Sequence, residues 1–182
     1  MAYTTIDKSS LHYNTKLYTG TGSSNAVTGV GFQPDLCWIK NRGTTTATRV
    51  FDSVRTATKV LYTSETDAEA TAAQGLTAFG ADGFTVGTSS AINGSSNNIC
   101  SWNWKAGTTG SGTTTGTGTG KAYSYSVNTT AGFSIITYKG NGTAGHTIPH
   151  HLGTTPRLII VKNMELTNKV VRLVVLFQVE IL

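Results

Sequence analysis

Leu36-Cys37-Trp38-Ile39-Lys40-Asn41 is written a second time, with altered chemistry, as Leu158-Ile159-Ile160-Val161-Lys162-Asn163. Outward from this stretch, Pro34 recurs as Pro156, and Tyr18, Gly20 and Gly22 recur as Tyr138, Gly140 and Gly142, with one short insertion between the two parts of the match. Both copies keep an apolar strand while changing its side chains, which marks a repeated architectural unit and carries no catalytic signature. In the first copy the strand is apolar on both faces, so it is expected to lie centrally and be covered on each side. Only Met164 to Leu182 follow the second copy, whereas the first runs on to Lys105-Ala106-Gly107. The second copy is therefore expected to be partial and unable to close a core by itself.

Other short runs of β-branched and aromatic residues, separated by Gly, Asn, Ser and Thr, read as strands: Lys16 to Thr19, Thr48 to Val54, Val60 to Thr63, Phe84 to Val86, Ile99 to Trp104 and Phe133 to Tyr138. In Ile99 to Lys105 the alternation puts Cys100, Trp102 and Trp104 on one face and Ser101, Asn103 and Lys105 on the other. The tryptophan face is expected to be the core face. The fold class is all-β, an antiparallel β-sandwich over residues 1–106. Residues 107–120, almost entirely Gly and Thr, bury no apolar area and are expected to form a flexible linker to the partial second repeat at 121–182. That repeat ends in a run without Gly, Ser or Thr that contains Val170, Val171, Leu173, Val174, Val175, Leu176, Phe177 and Val179. Left exposed, it would aggregate. Lent to the sheet edge of a neighbouring copy, it would serve as an assembly strand, and these residues are the expected assembly device.

Composition narrows the function classes. Charged residues make up 13% of the chain against a usual ~25%, and Gly occurs 21 times, a balance suited to turn-rich β structure. The net charge is +5, but Arg42, Arg49, Arg55, Lys59, Lys105 and Lys121 are dispersed singly, so no nucleic-acid partner is expected. Cys37 and Cys100 read as buried thiols acting as small apolar residues. No stretch reaches the ~18 apolar residues of a membrane span, and no secretory leader is visible, so synthesis as a soluble protein in a cytoplasm is expected.

Glu65, Asp67 and Glu69 have the E-x-D-x-E spacing that would put three carboxylates on one face of a strand, as in glycoside hydrolysis; the small residues Thr66 and Ala68 between them favour a solvated loop. His146, His150 and His151 lie close together but have no Cys or acidic partner at ligand spacing, so they read as turn-capping imidazoles, with no metal or other cofactor expected. Tyr3, Tyr13, Tyr62, Tyr123 and Tyr125 are candidate ligand-stacking residues, with ordinary sheet packing as the alternative for each. Asn93, Asn128 and Asn141 open glycosylation-type triplets that matter only in a secreted eukaryotic protein.

Gly31-Phe32-Gln33-Pro34-Asp35-Leu36-Cys37-Trp38-Ile39-Lys40-Asn41-Arg42, Phe51-Asp52-Ser53-Val54-Arg55, Asp82-Gly83-Phe84 and Trp102-Asn103-Trp104-Lys105-Ala106-Gly107 together resemble the jelly-roll domains of marine tailed-bacteriophage virion structural proteins. Those domains are related in shape to concanavalin A-like lectins. The resemblance covers most of residues 3 to 163, and His151-Leu152-Gly153 to Pro156 with the following strand resembles a module of phage tail fibres. It implies a non-enzymatic virion protein, a tail fibre, appendage or capsid decoration, whose partners are other copies of itself and other virion proteins. The alternatives are a fibre module that binds a receptor or cell-surface glycan, and a subunit of a non-viral extracellular filament.

Overall fold

The structure is a computed structural model that describes residues 6, 8–165 and 171–177. Tyr3, Val170 and Val179 lie outside the described residues. Two compact units divide the chain, a first spanning Lys8–Lys105 and a second including Ala106–Leu182.

In the first unit a 3-10 turn at Ser9–Leu11 leads into β1 (Tyr13–Thr19), β2 (Asn25–Thr28), β3 (Leu36–Asn41), β4 (Arg49–Asp52), β5 (Lys59–Tyr62), β6 (Ala70–Thr71), β7 (Leu76–Gly80) and β8 (Gly83–Val86). A one-turn helix, α1 (Ser90–Asn93), and β9 (Asn98–Trp104) complete it. The strands form a six-stranded sheet in the order β1-β9-β3-β4-β5-β6 and a three-stranded sheet β2-β8-β7, with antiparallel pairing throughout. Cys37, Ile39, Phe51, Val60 and Ile99 from the large sheet pack on Val27, Leu76, Phe84 and Val86 from the small one, with Ile92 of α1 beside them. This is the two-layer sandwich that the strand spacing predicts, with β3 central and buried.

The repeated Tyr-Gly-Gly motif locks α1 onto the sheet. Tyr18 Oη donates to the Ile92 carbonyl at 2.6 Å. A Cβ on Gly20 would stand 2.1 Å from the Gly94 carbonyl oxygen, so only glycine allows this approach. Asn93, with no exposed surface, donates Nδ2 to the carbonyls of Ser23 (2.5 Å) and Gly87 (2.7 Å), while its Oδ1 accepts from the Thr21 amide (3.0 Å).

The face expected for the tryptophans is reversed. Ile99, Ser101 and Asn103 point into the sandwich, and Trp102 and Trp104 share the opposite face with Trp38, which stands directly across from Trp102. The polar inward residue is half satisfied: Asn103 Nδ2 donates to the Asn14 carbonyl (3.0 Å) and to Ser101 Oγ (3.1 Å), and its buried Oδ1 has no partner among the described residues. Alternation fixes the period of a strand but not which face is covered.

The second unit contains β10 (Thr108–Thr113), β11 (Thr115–Gly116), β12 (Ala122–Asn128), β13 (Phe133–Lys139), β14 (His146–Thr147), β15 (Leu158–Asn163) and β16 (Val171–Phe177). Its five-stranded sheet runs β10-β12-β13-β16-β15, and β11 pairs with β14. Val127, Ile136, Leu152 and Val174 form its core, flanked by Tyr123, Tyr125, Tyr138 and Ile148.

Two expectations for this half are corrected. Residues 107–120 are not a tether: Thr108–Thr113 is a sheet strand, paired residue for residue from Thr108 opposite Val127 to Thr113 opposite Ala122. Threonine favours extended backbone, and the glycines are covered from across the ladder. A Cβ on Gly110 would lie 2.6 Å from Tyr125 Oη and one on Gly112 2.7 Å from Tyr123 Oη, so each tyrosine ring fills the place of the missing side chain. The second unit therefore starts at Ala106 and not at residue 121.

The second correction concerns the apolar carboxy-terminal strand, which is not left over for lending. β16 sits inside the chain's own sheet, antiparallel to β13 on one side and β15 on the other. Leu173, Val174 and Val175 are buried there, and the backbones of Val171, Leu176 and Phe177 complete the pairing. A strand with both edges occupied has no free ladder to offer a neighbour.

The ribbon β13-β16-β15 has the strand order, directions and register of β1-β9-β3. Tyr18 and Asn41 both align with Ile99, and their counterparts Tyr138 and Asn163 both align with Arg172. By the same register Ile160 and Val175 stand where the first unit has Trp38 and Trp102.

Candidate ligand-binding groove

On the outer face of the six-stranded sheet the register lays apolar side chains in rows. One row runs Thr15, Trp102, Trp38, Val50 and Leu61 across five strands, and the next sets Tyr13, Trp104 and Leu36 side by side; Leu36, Val50 and Leu61 are buried. Trp38, Trp102 and Trp104 are half-buried and, with Lys40 and Thr48, line an open groove of about 450 Å³. The Trp38 and Trp104 rings are 6.4 Å apart at 42°, and Tyr13 meets Trp104 at 5.0 Å and 47°. All three tryptophans of the chain are thus gathered on one sheet face.

The polar groups of the described lining are the Thr48 hydroxyl, the Lys40 ammonium and the indole N–H groups. Lys40 Nζ donates to the carbonyls of Thr46 and Thr44, tying down the loop that brings Thr48 to the rim. Such a surface presents aromatic faces for apolar C–H patches and hydroxyl partners for a hydrated ligand. Among the described residues its lining includes no carboxylate.

Of the sequence candidates among the described residues, Tyr13 adjoins this site through its contact with Trp104. Tyr62 lies on the core side of β5, with the Arg49 guanidinium 5.5 Å from its ring centre. Tyr123 and Tyr125 are in the second unit, over the glycines of β10, and Tyr125 stacks on the His151 ring at 3.7 Å. These three are sheet-packing residues. The carboxylate triplet is not a catalytic face either. Residues 63–69 form an irregular loop, so the alternation that would align Glu65, Asp67 and Glu69 is absent. Glu69 instead contacts Arg55 (3.2 Å) and Lys59 (3.7 Å), and Arg55 also binds the fully buried Asp52. Burial pushes the Asp52 carboxyl up, and the Arg55 guanidinium opposes that shift. This is an ion cluster that closes the β4–β5 turn.

The histidines do separate local work. His146 Nε2 pairs with Thr114 Oγ1, and its Nδ1 either accepts from Asn141 Nδ2 or donates to the Thr117 carbonyl, according to the tautomer, fixing β11 to β14. His150 Nδ1 accepts from the Leu152 amide at 3.2 Å, and His151 adopts a left-handed φ of 60° beneath the tyrosines. No group of three metal-ligating side chains occurs among the described residues. Cys37 and Cys100 are free, buried and on opposite faces of the sheet; burial raises both thiols. Of the glycosylation-type triplets, Asn93 is completely buried.

The signal that would have found the groove is in the repeat itself. The same ribbon, in the same register, is built with Ile160 and Val175 in the second unit, so the fold does not demand tryptophan at 38 and 102. No curated protein and no solved structure is similar enough to match the chain. Residues 8–179, spanning both units, match the domain of unknown function DUF7483, and the chain belongs to that family.

Proposed function

We propose that the chain is a non-enzymatic recognition module of a bacteriophage virion appendage, and that the outer face of its first unit binds glycan. The observation that carries this reading is the groove of Trp38, Trp102 and Trp104, built on a frame that elsewhere in the chain manages with Ile160 and Val175. Pyranose rings present apolar C–H faces that stack on aromatic rings, and the Thr48 hydroxyl and Lys40 at the rim suit a polyol. The jelly-roll resemblance supports the virion setting, in which a cell-surface glycan is the natural partner of an appendage.

The test exchanges tryptophan for the residues of the second unit. Wild type and the double variant Trp38→Ile, Trp102→Val are screened on a glycan array, and hits are titrated calorimetrically with the soluble oligosaccharide. The double variant is expected to keep its melting temperature and to lose at least about tenfold in affinity, equivalent to about 1.4 kcal/mol. Equal binding by both proteins, or no hit for the wild type, overturns the glycan reading.

A further inference from the structure

β15 is the outermost strand of the second sheet, and among the described residues no strand pairs with its far edge. Leu158, Ile159 and Val161 on it are 45%, 56% and 50% exposed. The repeat shows what occupies such an edge. On β3, which holds the same position in the first ribbon, that edge is taken by antiparallel β4, with Cys37 opposite Phe51 and Ile39 opposite Arg49. Leu36, Cys37 and Ile39, the counterparts of Leu158, Ile159 and Val161, are at most 1% exposed. β15 thus has the sequence of a covered strand and the position of an edge. An edge that is apolar on both faces and free of proline templates a further strand.

We propose that β15 is a homodimer interface, in which the β15 strands of two copies of this chain pair antiparallel across a twofold axis at Ile160. That register sets Ile160 against Ile160, Ile159 against Val161 on each side of the axis, and Leu158 against Lys162 beyond them. The antiparallel arrangement carries the two Lys162 side chains to opposite ends, and Arg157, which falls opposite Asn163, is on the other face of the sheet from Lys162, so no like charges face each other. The four apolar residues, flanked by Arg157 on one side and Lys162 on the other, pair only with one another and with the aliphatic stem of Lys162, as an isologous interface requires. Pairing extends each five-stranded sheet into one of ten and gathers Ile159 and Val161 of both copies on one face. The interface is independent of the tryptophan groove, which lies in the first unit.

The experiment is sedimentation velocity on the full chain over a concentration series, for wild type, Val161→Lys, Ile159→Glu and an equimolar mixture of the two variants. The wild type is expected to be a dimer. Either charge, facing an apolar residue across the ladder, weakens the dimer by about a hundredfold or more. The mixture recovers it, because the introduced carboxylate of one copy then faces the introduced ammonium of the other. A second readout needs no charge: Ile160→Cys places two thiols on the axis at disulfide distance, so mild oxidation should link two chains, whereas Leu158→Cys should not. A monomeric wild type, a dimer indifferent to both charges, or failure of both the mixture and the Ile160→Cys cross-link would each overturn the proposal.

Discussion

Replacing Asn93 with alanine tests the most concentrated polar node of the first unit. Its side chain makes contacts with Thr21, Ser23, Asn25 and Gly87, and it has no exposed surface. Thr21 and Ser23 lie on an exposed loop, so their backbone groups can turn to water, and each lost bond costs about 1 kcal/mol net. The Gly87 carbonyl is buried and has no such recourse, which adds about 1–3 kcal/mol for an unsatisfied acceptor. The total of about 3–5 kcal/mol is a large share of the ~5–15 kcal/mol that holds a typical domain together. For a unit of this size it corresponds to a fall in melting temperature of roughly 15–30 °C. The assay is urea unfolding followed by tryptophan emission, which reports the first unit selectively because Trp38, Trp102 and Trp104 all belong to it. Asn93→Asp should be at least as damaging, since it keeps the acceptor and sets a carboxylate against two carbonyl oxygens. A loss below about 1 kcal/mol for Asn93→Ala would refute the argument, because that is the worth of a single ordinary hydrogen bond.

Gly110→Ala should cost the second unit about 1–3 kcal/mol, because the new methyl displaces the Tyr125 ring from its place between the strand and His151. Far-ultraviolet dichroism melts would show it, and a neutral substitution would mean that the ring does not cover the strand. Asp82 accepts from the amides of Gly29 (2.9 Å) and Gly31 (2.7 Å), and these bonds, with Lys16 nearby, hold its carboxyl below the usual carboxylate range. A lowered folded-state pKa means that its contribution is present above the unfolded value and lost as pH falls through the folded one. Asp82→Asn should accordingly flatten the loss of first-unit stability below about pH 4. An unchanged acid limb, read by tryptophan emission, would remove Asp82 from that account.

Much of the sandwich was legible because its strands carry apolar or β-branched residues at period two. Every run read as a strand, from Lys16 to Thr19 through Leu158 to Lys162, lies in or overlaps one in the structure. β2, β7 and β12 escaped because they are short or mix small and polar residues, and β10 because a Gly/Thr composition describes both a tether and an edge strand. What decides for the strand is Tyr123 and Tyr125 on the neighbouring chain segment, a long-range fact that composition does not contain. The inward face of β9 was misjudged for a related reason. Trp102 and Trp104 outweigh Ser101 and Asn103 in hydrophobicity, yet the polar pair is buried, with Ser101 Oγ donating to the Lys16 carbonyl and Asn103 Nδ2 to the Asn14 carbonyl, while Asn103 Oδ1 has no hydrogen-bond partner among the described residues. The groove was missed with it, since its members come from β3, β9 and the loop before β4 and meet only when the sheet forms.

The shared register of the two ribbons hides an unequal route to them. In the first unit the central strand β9 comes to lie beside β3 only after the chain has passed through β4 to β8 and α1. In the second, β16 follows β15 after residues 164–170 alone, so the equivalent pairing is a hairpin. Closing a short loop is faster than closing a long one, and local pairing needs no prior assembly of a second sheet. The same three-stranded motif is therefore expected to form late in folding in one half of the chain and early in the other.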